Sequence, residues 1–197
     1  MVAGISVFSD STTIQIDDRY ATYGLIEKIV TRNTSLSQLI LTALRPVVND
    51  TPIDIGKVDN GYDVELYKFG LPSEVTDNFG LEVCNADGSV VYHSSYKPIR
   101  VIDFIRKPTK KSDGSRNLDI TTFNYSVSKI GVIVSNWSQI FAPGDSMTPM
   151  LIIKPRITIN NGTVVLGHWI TTLNQPSQFD YVVDSFNDFI IVDLTNY

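Results

Sequence analysis

The chain has 197 residues, of which 43% are hydrophobic and 19% charged, and its formal net charge is −5. This composition fits a globular protein that buries its own core, and the acidic balance argues against nucleic acid as the main partner. Apolar runs stay well below the ~20 residues of a membrane helix, the N-terminus lacks a signal-peptide pattern, and Cys84 is the single cysteine. We therefore expect a protein that is made and assembled in a reducing cytoplasm.

Short segments rich in Val, Ile, Thr, Tyr and Phe recur along the chain, and Asp, Asn, Gly, Ser or Pro bound each one. This pattern predicts β-strands. In chain order the predicted strands are 4–8, 13–17, 25–31, 39–48, 53–58, 62–69, 79–85, 89–93, 99–106, 118–125, 129–135, 149–159, 163–171, 179–183 and 189–194. Only residues 34–44 could also form a helix, which Pro46 would end, and we favour a strand there.

Two parts of the chain match when they are aligned at an offset of 76 residues (80 − 4). At this offset Gly4-Ile5-Ser6-Val7 aligns with Gly80-Leu81-Glu82-Val83, and Leu25-Ile26-Glu27 aligns with Val101-Ile102-Asp103. A second match, of Leu44-Arg45-Pro46 with Ile153-Lys154-Pro155, has an offset of 109 (155 − 46). The order of the matches predicts a tandem duplication of one β unit, with about 33 residues (109 − 76) inserted in the second copy.

The duplication predicts a first unit at residues 1–79 and a second at residues 80–197, with an inserted basic loop near 107–117. The boundary falls in residues 70–78, where Gly, Pro, Ser and Asp cluster. One unit alone is small, so the two would pack together, or exchange strands, to complete a core. The predicted fold is all-β, with tandem duplicated β-sandwich-like units of mainly antiparallel strands.

Residues 80–105 contain a Gly-apolar-x-Val strand, an Asn-x-x-Gly hairpin from Asn85 to Gly88, a Ser-x-Tyr turn and an Arg-Val strand. In this order the elements resemble the opening of small virion proteins of tailed bacteriophages, and residues 189–193 are similar to their closing strand. The resemblance implies a tail or head-associated structural component without a catalytic motif or cofactor. Cys84 departs from the pattern, because an aromatic residue is usual at its position.

The chain offers few side chains for catalysis, since Cys84 is accompanied by only two histidines, His93 and His168. Cys84 and His93 lie on the two arms of one predicted hairpin and could approach each other. A nucleophilic pair also needs an orienting group and an oxyanion site, so we interpret them as a small buried cysteine and a histidine at a strand end. The sequence predicts no enzyme and no metal site.

The acidic residues are likewise interpreted as structural rather than catalytic or metal-binding. Asn85–Gly88 predicts a hairpin turn rather than a calcium loop, because no bidentate Glu follows it. The pairs Asp17/Asp18 and Asp184/Asp188 could form a glycosidase dyad, but so could many other pairs among 21 acidic residues. A hydrolase of surface polysaccharide is therefore the weakest of the functions considered.

One segment, 106–116, concentrates basic residues in this acidic chain. We interpret it as a solvated, mobile loop, with an electrostatic contact to an acidic neighbour, or contact with packaged DNA, as alternatives. The candidate assembly contacts are Arg106, Lys107, Lys110, Lys111 and Arg116. Trp137 lies in a turn-like Ser-Asn-Trp-Ser context and is a candidate for stacking on a sugar ring or docking into a partner, with core packing as the alternative.

These observations favour a structural component of a tailed-phage virion, assembled in the host cytoplasm and placed in the tail or its connection. Its expected partners are other virion proteins and further copies of the same chain, since edge strands can add to a neighbour's sheet. A capsid decoration protein, and a receptor-binding adhesin module that takes a surface glycan, are the alternatives.

Overall fold

The computed structural model describes residues 4–9, 12–17, 23–34, 41–71, 80–109, 111–112, 115–136, 140–142, 150–173 and 186–197. The described residues form strands, turns and short connections, and none of them is helical. The strands are β1 (Gly4–Ser9), β2 (Thr12–Asp17), β3 (Gly24–Thr31), β4 (Thr42–Pro46), β5 (Ile53–Asp54), β6 (Val64–Gly70), β7 (Glu82–Cys84), β8 (Val90–His93), β9 (Val101–Pro108), β10 (Thr121–Asn124), β11 (Ile130–Asn136), β12 (Ile140–Ala142), β13 (Met150–Asn160), β14 (Thr163–Leu173) and β15 (Phe186–Asp193).

Two large antiparallel sheets carry the fold. A six-stranded sheet has the order β3-β6-β4-β11-β15-β9, and a second sheet has the order β10-β14-β13-β12, with β5 paired to β13. Two hairpins, β1–β2 and β7–β8, form separate two-stranded sheets. The all-β, mainly antiparallel architecture predicted from the sequence is thus confirmed.

The main core lies between the two large sheets, as in a β-sandwich. The six-stranded sheet contributes alternate residues such as Leu66, Val132 and Phe189, and the second sheet contributes Ile157 and Leu166. Each is at most 2% exposed, because a period-2 pattern places one face of every strand inward. Strands of both predicted units, 1–79 and 80–197, share this core.

The opposite face of the six-stranded sheet carries a second, smaller core. Ala43, Tyr67, Ile133 and Val192 are buried there together with Leu194, which follows β15. Tyr197 packs against the same cluster, with its ring 5.7 Å from that of Phe69 in an edge-to-face arrangement. The last residues of the chain therefore cover part of this face.

The two halves of the six-stranded sheet have the same order of strands. From one edge inward the strands are β3, β6 and β4, and from the other edge they are β9, β15 and β11, in each case the first, third and second of the three along the chain. Pairing aligns one row of residues across it, in the order Lys28, Tyr67, Ala43, Ile133, Ile190 and Phe104. A two-fold axis through the central Ala43–Ile133 pair would relate Lys28 to Phe104, which are 76 residues apart (104 − 28). That separation equals the offset of the first match in the sequence.

The second sequence match has no such counterpart. Its two segments lie in different sheets, since Leu44–Pro46 belong to β4 of the six-stranded sheet and Ile153–Pro155 to β13 of the other. The predicted boundary, 70–78, lies mostly outside the described residues. The duplication itself stays a prediction.

Most predicted strands coincide with observed ones, and the differences have local causes. Residues 53–58 were expected to be one strand, but only Ile53 and Asp54 pair, because a turn with Gly56 at φ +77° follows. β12 was not predicted, while the predicted strand at 179–183 lies outside the described residues. Within residues 34–44, where strand and helix were both open, Thr42–Leu44 belong to β4 and 35–40 lie outside the described residues.

A buried polar cluster fixes the turn after β5. The Asn60 side chain accepts a hydrogen bond from the Asp54 backbone N–H (2.8 Å) and donates to the Arg32 carbonyl (3.0 Å) and the Thr34 hydroxyl (3.1 Å). That hydroxyl in turn donates to the Asp54 carbonyl (2.8 Å). The Asp54 carboxylate pairs with Arg156 of β13 through both oxygens. These bonds tie the residues just after β3 and just before β6 to the second sheet.

Among the described residues, no helix is long and apolar enough to cross a membrane.

Candidate assembly surface

One edge of the six-stranded sheet, at β9, exposes an aromatic and cationic cluster. Arg106 makes a two-pronged ion pair with Asp188 on β15, with Nε–Oδ1 and Nη2–Oδ2 distances of 2.9 and 3.1 Å. Its guanidinium carbon lies 5.9 Å from the ring centroid of Phe104 and 5.1 Å from that of Phe186. Phe104 is 53% exposed and Phe186 45%. Arginine stacked on exposed aromatic rings is typical of residues that dominate protein interfaces.

Apolar exposure continues along β9. Val101 and Ile102, on consecutive positions of the strand, are 58% and 38% exposed, whereas Ile105 points into the main core. No described strand lies beyond β9 in the sheet. The outer side of β9 is thus an edge of the sheet with large apolar side chains beside it.

The other edge strand, β3, is also apolar, and its first residues pair with the segment before β9 through an antiparallel Gly24–Pro98 bridge. Ile26 and Val30 are 56% and 55% exposed, while Ile29 packs against the main core. The charged residues of β3 are paired with β6: Lys28 lies 2.5 Å from Glu65, and Glu27 lies 3.0 Å from Lys68. The Glu65 and Tyr67 side chains raise the pKa of Lys28, so its ammonium stays charged at neutral pH.

The candidate assembly contacts predicted in the basic segment lie in different environments. Arg106 and Lys107 belong to β9 rather than to a loop, and Lys107 is only 7% exposed. The Lys107 ammonium donates to the backbone carbonyls of Asp119 and Leu166, and burial lowers its pKa. The structure therefore places Lys107 inside the protein, away from any surface contact.

The rest of the basic segment folds back on itself where it is described. Asn117 N–H donates to the Thr109 carbonyl and Lys111 N–H to the Ser115 carbonyl, both at 2.8 Å. Lys111 pairs with Asp119 at 2.9 Å and remains partly exposed, and Arg116 is half-buried. Lys110 and Trp137 lie outside the described residues. Among the predicted basic contacts that the structure describes, Arg106 joins the aromatic cluster.

The Cys84–His93 pair does not form. In the β7–β8 hairpin Cys84 is opposite Val90 and His93 is opposite Glu82. His93 is buried and its Nδ1 lies 2.6 Å from the Ser95 hydroxyl. Cys84 was expected to be buried but is exposed, and its hydrogen bond to Glu82 raises the pKa of the thiol. A nucleophilic cysteine needs the opposite shift.

The acidic residues support turns and ion pairs. Asp87 accepts hydrogen bonds from the Ser89 N–H and hydroxyl, and Gly88 has φ +85°, so the predicted hairpin turn is confirmed. Asp188 is held by Arg106, while Asp18 and Asp184 lie outside the described residues. In the part of the chain that the structure describes, no three His, Cys, Asp or Glu side chains could hold a metal ion together.

A cavity of about 350 Å3 opens beside His168 on β14, lined mainly by apolar side chains including Leu118, Ile120 and Ile153. The Nδ1 atom of His168 is buried without a hydrogen-bond partner. Burial and the nearby Lys107 ammonium lower the pKa of His168 from 6.5 to about 4. The neutral imidazole therefore belongs to the folded state.

The low pKa of His168 predicts a pH-dependent stability. The unfolded chain takes up this proton near pH 6.5 and the folded chain only near pH 4, so acidification through that window favours unfolding. After allowance for the partial exposure of the ring, we expect His168 to contribute a loss of roughly 2 kcal/mol. Denaturant unfolding at pH 7.5 and pH 4.5 should show a smaller difference for His168→Gln than for the wild type. Equal differences would contradict the assignment.

Comparison of the chain with protein-family models, with curated proteins and with solved structures finds no match.

Sequence patterns alone did not identify the apolar edges, although a signal for them exists. β3 contains Ile29 and Val30 in succession, and β9 contains Val101 and Ile102, so both strands place apolar side chains on both faces. Such a pattern is typical of central strands that are covered on both sides. At the two edges of a sheet it instead leaves one apolar side uncovered.

Proposed function

We propose that this chain is a non-catalytic structural component of a tailed-phage virion that acts by protein–protein assembly, in the tail or its connection. The observation that carries the proposal is the exposure of apolar side chains at both edges of the six-stranded sheet, at β3 and at β9. Exposed apolar edge strands are templates for pairing with another chain, and monomeric proteins ordinarily protect them. The resemblance of residues 80–105 to virion proteins supplies the biological setting.

The chemistry of the site agrees with a binding role. Arg106, Phe104 and Phe186 are residue types enriched at the centres of interfaces, and the Asp188 carboxylate holds the guanidinium in one orientation. The surroundings of the described cysteine, in contrast, disfavour nucleophilic catalysis. The hydrogen bond from the Cys84 thiol to Glu82 raises the pKa of the thiol.

Light scattering after size-exclusion chromatography tests the assembly role. We expect the recombinant chain to elute as an oligomer, with at least twice the 21.9 kDa mass of one chain, at low and at high salt. Apolar contacts survive salt that screens exposed charges, whereas a contact made by Lys111 and Arg116 would weaken. A monomer at every concentration and salt would contradict the proposal.

The virion setting needs its own experiment. Mass spectrometry of purified virions, from a phage that carries the coding sequence, should detect the chain in a fixed ratio to the other structural proteins. The soluble fraction of the same lysate is the control. Detection in the soluble fraction alone would contradict a virion component, even if the recombinant chain forms oligomers.

A further inference from the structure

A glycine in the middle of a strand shapes the cavity beside His168. Gly167 lies on β14 opposite Arg156 of β13, and both residues line the cavity. Among the described residues, and apart from its two chain neighbours, a Cβ added to Gly167 would meet only the Ile120 side chain, at an ordinary contact distance of 3.9 Å. Packing therefore does not require a glycine here, although glycine weakens a strand. Glycine inside a strand often marks a place where another molecule approaches closely, and here its missing side chain leaves the cavity open.

One wall of the cavity is held in place by Lys107. The Lys107 ammonium donates to the backbone carbonyls of Asp119 and Leu166, so it joins the segment before β10 to β14. Leu118 and Ile120, on either side of Asp119, contribute apolar side chains to the cavity. Because these charge-assisted hydrogen bonds fix the segment, the cavity is already formed in the free protein, which lowers the cost of binding.

The rim of the cavity is apolar and exposed. Leu118 is 42% exposed, Ile170 57% and Ile120 74%. Large apolar side chains that are grouped at one place on a surface mark contact sites with other proteins. A cavity of about 350 Å3 with such a rim suits one side chain of a partner protein, with apolar residues of the partner around it. A free small molecule would fill the cavity without covering the rim.

The polar group of the cavity is the neutral imidazole of His168. A hydrogen bond to the Leu118 backbone raises the pKa of the ring, against the larger effects of burial and Lys107 that lower it. We assign the ring proton to Nε2, because Nδ1 is buried without a hydrogen-bond partner among the described residues. Nδ1 is then an acceptor that lacks a donor. The χ2 torsion of histidine is soft, so a small turn of the ring can direct Nδ1 toward an O–H group in the cavity.

We propose that this cavity receives a tyrosine side chain of another virion protein. The tyrosine ring would lie against the apolar walls and over Gly167, and its hydroxyl would donate to Nδ1 of His168. Phenylalanine would leave Nδ1 without a donor and should therefore bind more weakly. The proposal rests on the assembly function proposed above and names the group that a partner contributes.

Titration with p-cresol and toluene, which are the side chains of tyrosine and phenylalanine, tests the cavity on the recombinant chain. We expect p-cresol to shift the amide resonances of Gly167, His168 and Ile120, with a dissociation constant on the order of 1 mM. Toluene should bind at least about five-fold more weakly. The absence of shifts with p-cresol, or equal binding of toluene, would overturn the proposal.

Gly167→Val is the matched variant, because it fills the cavity with a residue that suits a strand. Its thermal unfolding should resemble that of the wild type, since the space above Gly167 is open. We expect the p-cresol shifts to disappear in this variant. Full binding of p-cresol to Gly167→Val would place the ligand elsewhere and would also overturn the proposal.

Incorporation into virions separates a protein partner from a free phenol. Virions assembled with the Gly167→Val chain should contain at least about tenfold less of it than wild-type virions contain of the wild-type chain. Normal incorporation of a variant that no longer binds p-cresol would show that the cavity takes a small phenol, which overturns the proposal. Absence of the wild-type chain from virions would instead remove the assembly function itself, so the two failures are distinguishable.

Discussion

Replacing Gly162 by alanine is expected to lower the free energy of unfolding by about 3 to 4 kcal/mol, from backbone strain and from displacement of packed backbone. Gly162 ends the Asn161-Gly162 turn between β13 and β14 with φ +89°, a region that L side chains rarely adopt. An added Cβ would lie 2.7 Å from the Tyr125 carbonyl oxygen and 2.8 Å from that of Val127. These are backbone atoms, which cannot move aside as a flexible side chain could.

Gly61→Ala is the matched control for this substitution. Gly61 has a similar φ of +82°, but nothing lies within 4 Å of an added Cβ. It should therefore lose only the conformational part of the effect, about 1 kcal/mol. Denaturant unfolding of the two variants separates strain from steric overlap, and equal losses would show that the segment after β10 does not pack on the Gly162 turn as described.

The all-β class could be predicted from the sequence because strand periodicity and turn residues are local signals. The Asn85–Gly88 hairpin is an example, since a glycine with positive φ and an aspartate that bonds two residues ahead require no knowledge of the rest of the chain. The order of strands in a sheet is not local. That β4 pairs with β11 rests on the contacts of Ala43 and Leu44 with residues about 90 positions away in the chain.

The candidate assembly surface shows the same difference between local signals, which the sequence contains, and non-local arrangement, which it does not reveal. The sequence indicated Arg106 through its basic neighbours, but composition could not separate it from Lys107, the next residue. Alternation along β9 places these two side chains on opposite faces of the sheet, one beside Phe104 and the other among buried carbonyls. Charge clustering in sequence is therefore a weak guide to an exposed basic surface when the cluster begins inside a strand.

The role of Phe186 was beyond sequence reasoning for a different reason. It lies 80 residues after Arg106 (186 − 106) and meets it only because β15 pairs with β9. The register that opposes Asp188 to Arg106 also brings the Phe186 ring to the guanidinium. A site assembled from two strands that are distant in the chain becomes visible only when their register is known.

Replacing Asn60 by alanine is expected to destabilise the protein by about 3 kcal/mol, because buried polar groups would lose their partners. Asn60 is 3% exposed, and its side chain satisfies the Asp54 N–H, the Thr34 hydroxyl and the Arg32 carbonyl. Removing it leaves the Asp54 N–H without an acceptor inside the protein. The loss should appear in equilibrium unfolding by denaturant as a lower midpoint with an unchanged slope.

Asn49→Ala provides the comparison, since Asn49 donates to Asn161 at 2.9 Å and accepts from Arg45 at 3.2 Å in more exposed surroundings. Water can replace these partners, so we expect a loss below about 1 kcal/mol. The Asn60 cluster anchors the end of β3 and the start of β6 to β13 through Asp54 and Arg156. Asn60→Ala should therefore also increase amide exchange in β3, whereas Asn49→Ala should not. Unchanged protection of β3 in Asn60→Ala would show that the Asn60 cluster does not support this strand.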